Sequence, residues 1–293
     1  MRDMRRFKES ELIVNPDGSV YHLKLKPEHI APHVIVVGDQ GRVEQVSRHF
    51  DKIEHKIQNR EFRTHTGYYK NKRITVLSTG IGTDNIDIVI NELDAVVNID
   101  LQERVQKDKH TSLNIVRLGT SGALQADIPV DTFVASAYGL GFDGLLHFYA
   151  HDKDLTEGDM EDAFIKHTGW HKRLARPYIV SSSGDLLQKV GAELKQGITA
   201  TANGFFGPQG RELRIPLAFP DLNEKLGSFS FEDQQVTNFE METSALYALG
   251  RILGHNTLTV CNIIANRARR EYSKDYQKSV DRMIQYVLDK LVK

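Results

Sequence analysis

The segment Asn114-Ile-Val-Arg-Leu-Gly-Thr-Ser-Gly-Ala123 constrains this chain more than any other. Ile115 to Leu118 reads as a buried strand of an α/β sheet. Arg117 interrupts that apolar run, and a buried guanidinium requires an anion or a full set of acceptors. Two readings are open here: an internal ion pair with an Asp or Glu, or an anion-binding position. Gly119-Thr-Ser-Gly122 reads as a loop at the carboxyl end of the strand, where open α/β sheets place their ligands.

The chain has 293 residues, 40% hydrophobic and 26% charged, enough for a substantial core. A net charge of −1 and a pI near 6.9 give no bulk footprint for nucleic acid or an anionic membrane. Cys261 is the single cysteine, so no intrachain disulfide forms. It sits in an apolar run and reads as a buried structural thiol. The N-terminus is charged and lacks a signal-peptide core, so a cytoplasmic location is expected. The twelve histidines are scattered without metal-ligand spacing, and no metal is expected.

Taken in order, residues 1–30 read as a polar arm (1–19 wholly so) with a strand-like piece at Val20–Leu23. There His22 reads as a packing or hydrogen-bonding residue. Val34–Val37 reads as a strand that ends in Gly38-Asp-Gln-Gly-Arg42 and leads into a helix. That geometry presents backbone N–H groups to an anion. A hairpin is expected over 60–78, with Arg60 and Glu61 as surface charges. Gly80-Ile-Gly82 begins like a dinucleotide fingerprint, but Asn85 replaces the third glycine. The helix after it has Ile86, Val89, Ile90, Leu93 and Val97 on one face and Asp84 as its expected N-cap. Residues 100–112 read as a charged helix extension and loop, and Gly139–Gly144 as a mobile glycine loop. The run Asn203-Gly-Phe-Phe-Gly-Pro-Gln-Gly-Arg211 combines aromatics for stacking with the planar amide of Gln209 and the fork of Arg211, a set suited to a flat heterocycle. Glu240-Met-Glu242 stands at a helix start, where carboxylates favour the dipole or bind sugar hydroxyls. The final helix spans roughly 275–291. With no repeat or linker, one domain over 1–293 is expected.

Together, Val36-Val-Gly-Asp-Gln-Gly-Arg-Val43, Ser78-Thr-Gly-Ile-Gly82, Arg117-Leu-Gly-Thr-Ser-Gly122, Phe205-Phe-Gly-Pro-Gln-Gly-Arg211 and Phe239-Glu-Met-Glu-Thr243 resemble the nucleoside phosphorylase-I superfamily. The resemblance is closest to its uridine phosphorylases. It implies one three-layer α/β/α domain with a central mixed, partly barrel-like sheet. It also implies phosphorolysis of uridine to uracil and ribose 1-phosphate, a pentosyltransferase reaction of pyrimidine salvage. By the same resemblance Gly38, Arg42, Arg117 and Thr120 hold phosphate, with Arg60 supplied by the neighbouring subunit. Glu240, Met241 and Glu242 bind ribose, with His22 of the neighbouring subunit near the 5′-hydroxyl. Phe205, Gln209, Arg211 and Arg267 form the base pocket. Arg117, Gln209, Arg211 and Glu242 carry the catalytic roles. A homodimer with shared sites, or a trimer of dimers, follows. Phosphate is a co-substrate and no cofactor is implied. Gly82-Thr-Asp-Asn85 departs from the turn through which some relatives, with the residue matching Glu61, bind a monovalent cation, which argues against that cation here. Ala265-Asn-Arg267 lacks the Asp kept by purine-specific relatives. The alternatives are a hydrolytic nucleosidase, a phosphorylase of another nucleoside, and a non-catalytic nucleoside-binding protein.

Overall fold

The computed structural model describes residues 6–293; residues 1–5 of the expected arm lie outside the described residues. Twelve strands build the main sheet, two of them the two-residue pieces Ser230–Phe231 and Glu271–Tyr272; the ten longer ones are β1 (His33–Val37), β2 (Lys52–Asn59), β3 (Phe62–Tyr69), β4 (Lys72–Ser78), β5 (Asn114–Ala123), β6 (Phe133–Gly141), β7 (Tyr178–Ser181), β8 (Lys195–Thr201), β9 (Gln234–Glu240) and β10 (Asn256–Asn266). The order β9-β8-β6-β10-β5 closes on itself where Gly122 and Ala123 of β5 pair antiparallel with Phe239 and Asn238 of β9. From β5 the sheet continues through β1, β4, β3 and β2. The sheet is thus mixed and partly a closed barrel, as expected.

Strand alternation decides which helices cover which face. Val34, Val36 and Ile115 pack against α2 (Thr83–Asn98) and α5 (Thr243–Ile252). Ile35, Val37, Val116 and Leu118 pack against α1 (Gln40–Ser47) and α6 (Tyr276–Val292). Helices α3 (Gly158–Thr168) and α4 (Leu222–Ser228) cover the barrel strands through Phe164, Leu226, Ile198 and Phe239. Tyr247 of α5 ties that helix to the barrel: its hydroxyl donates to the Ser136 carbonyl at 2.7 Å and accepts from the Thr259 amide at 2.8 Å. No described helix is long and apolar enough to cross a membrane.

Several local expectations change. Gly119–Gly122 and Gly139–Gly141 are strand, not loop, because barrel closure needs the continued backbone pairing. Gly139 lets the strand approach α5 closely, since a Cβ there would crowd the Ser244 backbone at 3.0 Å. The N-cap of α2 is Gly82, and Asp84 lies in the first turn. Residues 100–112 extend no helix; Ile99–Asp100 and Val105–Gln106 pair as a short ribbon. The described part of the arm is docked. Val14 bridges Val20, Leu12 and Val14 pack on the core, and Val20, Leu23 and Leu25 are buried in it. β2, unmarked in the sequence, is an edge strand with alternating exposure.

His65 of β3 joins this strand to α1. Its Nδ1 lies 2.7 Å from the Ser47 hydroxyl, and Arg63 Nε donates to its Nε2 at 3.3 Å. Burial, with Arg63 second, pushes the imidazole down to about 4 from an ordinary 6.5. Below pH 6.5 the unfolded chain therefore takes up a proton that the folded chain refuses, and stability falls as pH drops toward 4. The expected loss is about 2 kcal/mol between pH 7.5 and pH 5. Urea unfolding of the wild type and His65→Gln at both pH values checks this. An equal loss in the variant would remove His65 as the source.

Candidate active site

A cleft of about 1440 Å³ opens where the carboxyl ends of β1, β5 and β10 meet the start of α5 and the 205–211 loop. It is lined by Gly38, Arg42, Arg117, Thr120, Phe205, Gln209, Arg211, Glu240, Met241, Glu242 and Arg267. Eleven of the thirteen residues singled out in the sequence therefore share one cavity. His22 and Arg60 do not line it.

Arg117 projects from β5 toward the start of α5 and is buried. Its Nη1 lies 3.1 Å from Glu240 Oε2 and 3.7 Å from Cys261 Sγ, and its Nη2 bonds Glu242 Oε2. The internal ion pair, one of the two sequence readings, is thus formed. Nε has no hydrogen-bond partner among the described residues. Burial pulls the guanidinium down, but Glu242 and Glu240 more than offset it and hold its pKa above the ordinary value.

Glu240 organises the helix start. Its carboxylate accepts from the Glu242 amide at 3.0 Å, the Thr243 amide at 3.0 Å and the Thr201 hydroxyl at 2.7 Å. Thr201 Oγ1 in turn accepts from the Ser244 amide at 3.0 Å. Three orphan amides of the first turn of α5 are satisfied in this way. Glu242, so placed, takes the Gly82 amide at 2.9 Å as well as Arg117. Burial raises its pKa above the usual carboxylate range, against the pull of Arg117. Gly80 sits at φ +73°, a conformation that strains any side chain, and a Cβ there would also press on the Asn85 amide.

Arg42 of α1 stands on the same side of the cleft. Its Nη1 donates to the Leu118 carbonyl at 3.1 Å, and no carboxylate bridges it among the described residues. Burial, with Arg117 next, lowers its pKa. This leaves a cation beside the Gly38 turn that is free to face an anion.

At the other end, Gln209 is buried between two guanidiniums. Its Oε1 accepts from Arg211 Nη1 at 2.7 Å and from Arg267 Nη2 at 3.4 Å. Arg267 Nη1 also bonds the Gln209 carbonyl, and Asn223 Nδ2 donates to that carbonyl at 3.2 Å. Arg211 stacks on the half-exposed Phe205 ring, with Cζ 3.8 Å from its centroid. Burial, with Arg211 second, lowers Arg267 to about 10, and burial lowers Arg211. Neither guanidinium has a carboxylate partner among the described residues. The amide edge, the donor forks and the ring form a flat, polar-edged slot.

His22 and Arg60 lie together outside the cleft. Asn59 Nδ2 donates to the His22 carbonyl at 2.8 Å. The Arg60 guanidinium lies 5.5 Å from the Tyr21 ring centroid. Gln40, on the cleft rim, holds the Arg60 carbonyl at 3.0 Å.

The sequence reading missed Thr201 as a partner of Glu240, and Glu61, Asn85, Arg270 and Tyr272 as lining residues. It also missed Asp94, His110 and His255, which share no linear motif yet bring ligand atoms within 4.8 Å of one another. The Leu113 amide donates to His255 Nδ1 at 3.2 Å, and the buried Nε2, 3.3 Å from Asp94 Oδ1, makes no hydrogen bond among the described residues.

Gly119 is where the Arg117 cluster is most easily tested. A Cβ there would lie 2.0 Å from Arg117 Nη1 and 3.0 Å from Cys261 Sγ. Gly119→Ala should expel the guanidinium and strand two buried carboxylates, costing about 3–5 kcal/mol. Denaturant unfolding reads this directly; a loss within about 1 kcal/mol would mean that the pocket repacks at little cost.

Comparison with known proteins gives this architecture its context. The family model described as Phosphorylase superfamily matches residues 32–293. A crystal structure of a Trypanosoma brucei nucleoside phosphorylase, described as showing uridine phosphorylase activity, superposes with a TM-score of 0.87 at 29% identity. The match covers 96% of this chain and 99% of that one. The uridine phosphorylase of Thermococcus kodakarensis is 29% identical over 281 residues, covering 94% of this chain and 87% of its own. A DeoD-type purine nucleoside phosphorylase of Bacillus thuringiensis is 27% identical over 282 residues, covering 92% and 97%. A match that takes in the glycine turn at Gly38, the Arg117 strand, the Gln209 loop and the Glu242 helix start places this chain in the phosphorylase superfamily.

Proposed function

We propose that the protein is a pentosyltransferase that cleaves uridine with phosphate to give uracil and ribose 1-phosphate. The observation that carries this reading is the clamping of Gln209 Oε1 by Arg211 and Arg267, which turns the amide nitrogen and two donor forks toward a carbonyl-edged heterocycle. The names of the T. brucei and T. kodakarensis relatives agree with it.

In this reading phosphate sits against Gly38, Arg42, Arg117 and Thr120, with Arg60 arriving from a second chain. Glu242 takes the sugar hydroxyls, with Met241 on the ribose and Glu240 holding the segment in place. His22 of the second chain reaches the 5′-hydroxyl. Phe205 stacks on the base, and Gln209, Arg211 and Arg267 address its edge. The C1′–N1 bond breaks, its electron pair moves onto the base carbonyl, and a phosphate oxygen captures C1′. The base leaves as an anion and is protonated afterwards. The phosphate anion stabilises the developing cation at the sugar, and the guanidiniums stabilise the charge on the base. Losing one such preorganised donor costs about 10²–10³ in rate, or ~3–4 kcal/mol. Aligning two substrates supplies a further term. No covalent nucleophile enters.

The first test is release of free uracil from uridine with and without phosphate. Phosphate-dependent release, with little base from inosine, is expected. Release without phosphate would make the protein a hydrolase, and release from inosine alone would overturn the base assignment.

Sharing of sites between chains is tested by mixing Arg60→Ala with Arg211→Ala chains. Each variant alone should be nearly inactive. Random re-association should restore roughly a quarter of wild-type turnover, since about half the dimers are mixed and each carries one intact site. No recovery in verified mixed dimers would overturn the shared site.

A further inference from the structure

Glu92 of α2 spends its whole carboxylate on two residues of the N-terminal segment. Both of its oxygens lie 3.0 Å from the His22 amide nitrogen. Oε2 accepts from the Leu23 amide at 2.8 Å, and Oε1 lies 2.6 Å from His22 Nδ1. An ionised carboxylate only accepts hydrogen bonds, so Nδ1 must be the protonated ring nitrogen. In the neutral imidazole this leaves Nε2 as a lone-pair acceptor. The side chain of His22 keeps 27% of its surface exposed, so the ring is reachable from outside. The Asn59 amide holds the His22 carbonyl at 2.8 Å, and the edge of Tyr21 lies against the ring at a centroid distance of 4.7 Å. Backbone, ring plane and tautomer of one residue are therefore all set. Nothing else at the cleft depends on Glu92, which does not line it.

We propose that Glu92 is a positioning residue that presents His22 Nε2 as a fixed hydrogen-bond acceptor, and so gives the protein its preference for nucleosides whose sugar carries a 5′-hydroxyl donor. The inference rests on the reading above that His22 reaches the 5′-hydroxyl of a nucleoside bound to the partner chain. A free imidazole samples two tautomers and several ring orientations. One held by a carboxylate offers the same lone pair to every substrate and loses less freedom on binding. A contact of this kind, remote from the reacting bond, is made equally in the ground and transition states, so it acts on KM rather than kcat.

The test compares uridine with 5′-deoxyuridine in the wild type, His22→Ala, Glu92→Ala and Glu92→Gln, in the full-length oligomer with saturating phosphate. The wild type should favour uridine by about tenfold in kcat/KM, the value of one such hydrogen bond. His22→Ala and Glu92→Ala should each bring the ratio near unity by raising the KM of uridine. In Glu92→Ala, kcat and the constants for 5′-deoxyuridine should stay at wild-type levels. In Glu92→Gln the amide still accepts from the backbone but donates to Nδ1. The His22 imidazole ¹³C shift, assigned by difference from His22→Ala, should then report the proton on Nε2 instead of Nδ1.

A wild-type ratio retained in Glu92→Ala but lost in His22→Ala would overturn the role of Glu92 and leave that of His22 standing. A wild-type ratio retained in His22→Ala would overturn both, while the turnover of uridine in the same assay would leave phosphorolysis itself standing. An unchanged ¹³C shift in Glu92→Gln would overturn control of the tautomer. Parallel losses on both substrates in Glu92→Ala would show a merely structural residue.

Discussion

The bond between Arg117 and the two carboxylates at the start of α5 is the interaction on which the rest of this structure depends. A guanidinium in the middle of a buried strand is tolerable only when its charge is answered, and Glu240 and Glu242 answer it. The same pair fixes where the helix begins, because Glu240 caps the first turn with the help of Thr201. It fixes the closure of the barrel as well. Glu240 ends the strand that pairs with Gly122 and Ala123, a few residues beyond Arg117 on β5. Gly119 between them lacks a side chain because the guanidinium occupies that space. A strand, a helix cap and a sheet closure thus meet at one charge cluster. A substitution there disturbs the fold and the cleft together.

The parts of the fold that could be read from the sequence are those where one physical signal acts alone. The apolar stripe of α2 and the β-branched run of β1 needed nothing beyond their own residues. Where two elements share a residue, local reading failed. Gly119–Gly122 and Gly139–Gly141 look like loops because glycine in isolation favours turns. In the barrel the same glycines are strand residues that make room for Arg117 and for the Ser244 backbone. β2 escaped because only Ile53 and Ile57 mark its half-buried face, set among charged and polar neighbours. The N-terminal segment looked polar because its apolar residues are spaced by charged ones, yet Leu12, Val14, Val20, Leu23 and Leu25 all reach the core.

The candidate site was more legible than the fold around it. Chemically unusual residues such as Arg117, Gln209 and Glu242 carry their own signature and converge on one cleft. What linear order could not convey is which atoms they use. Gln209 is defined by two guanidiniums gripping its oxygen, and Arg267 lies 58 residues further along the chain. Glu240 and Glu242 flank one methionine but divide the work. Glu240 holds the helix start, and Glu242 joins Arg117 to the Gly82 turn.

The location of His22 and Arg60 gives the shared-site reading its physical form. Arg60 adopts φ +52°, a left-handed conformation that costs a non-glycine residue about 1 kcal/mol or more. Its carbonyl is held at the rim of its own cleft by Gln40, while its guanidinium turns away toward Tyr21. Asn59, next in sequence, grips the carbonyl of His22, so two residues 38 positions apart form one rigid outward-facing patch. The φ of Arg60 belongs to the two-residue hairpin turn at 60–61, which the Asn59–Phe62 strand pair closes. On the proposed reading, the patch delivers one donor for the phosphate and one acceptor for the sugar in a single docking event. On the same reading, completion of the site and assembly of the oligomer draw on the same contacts.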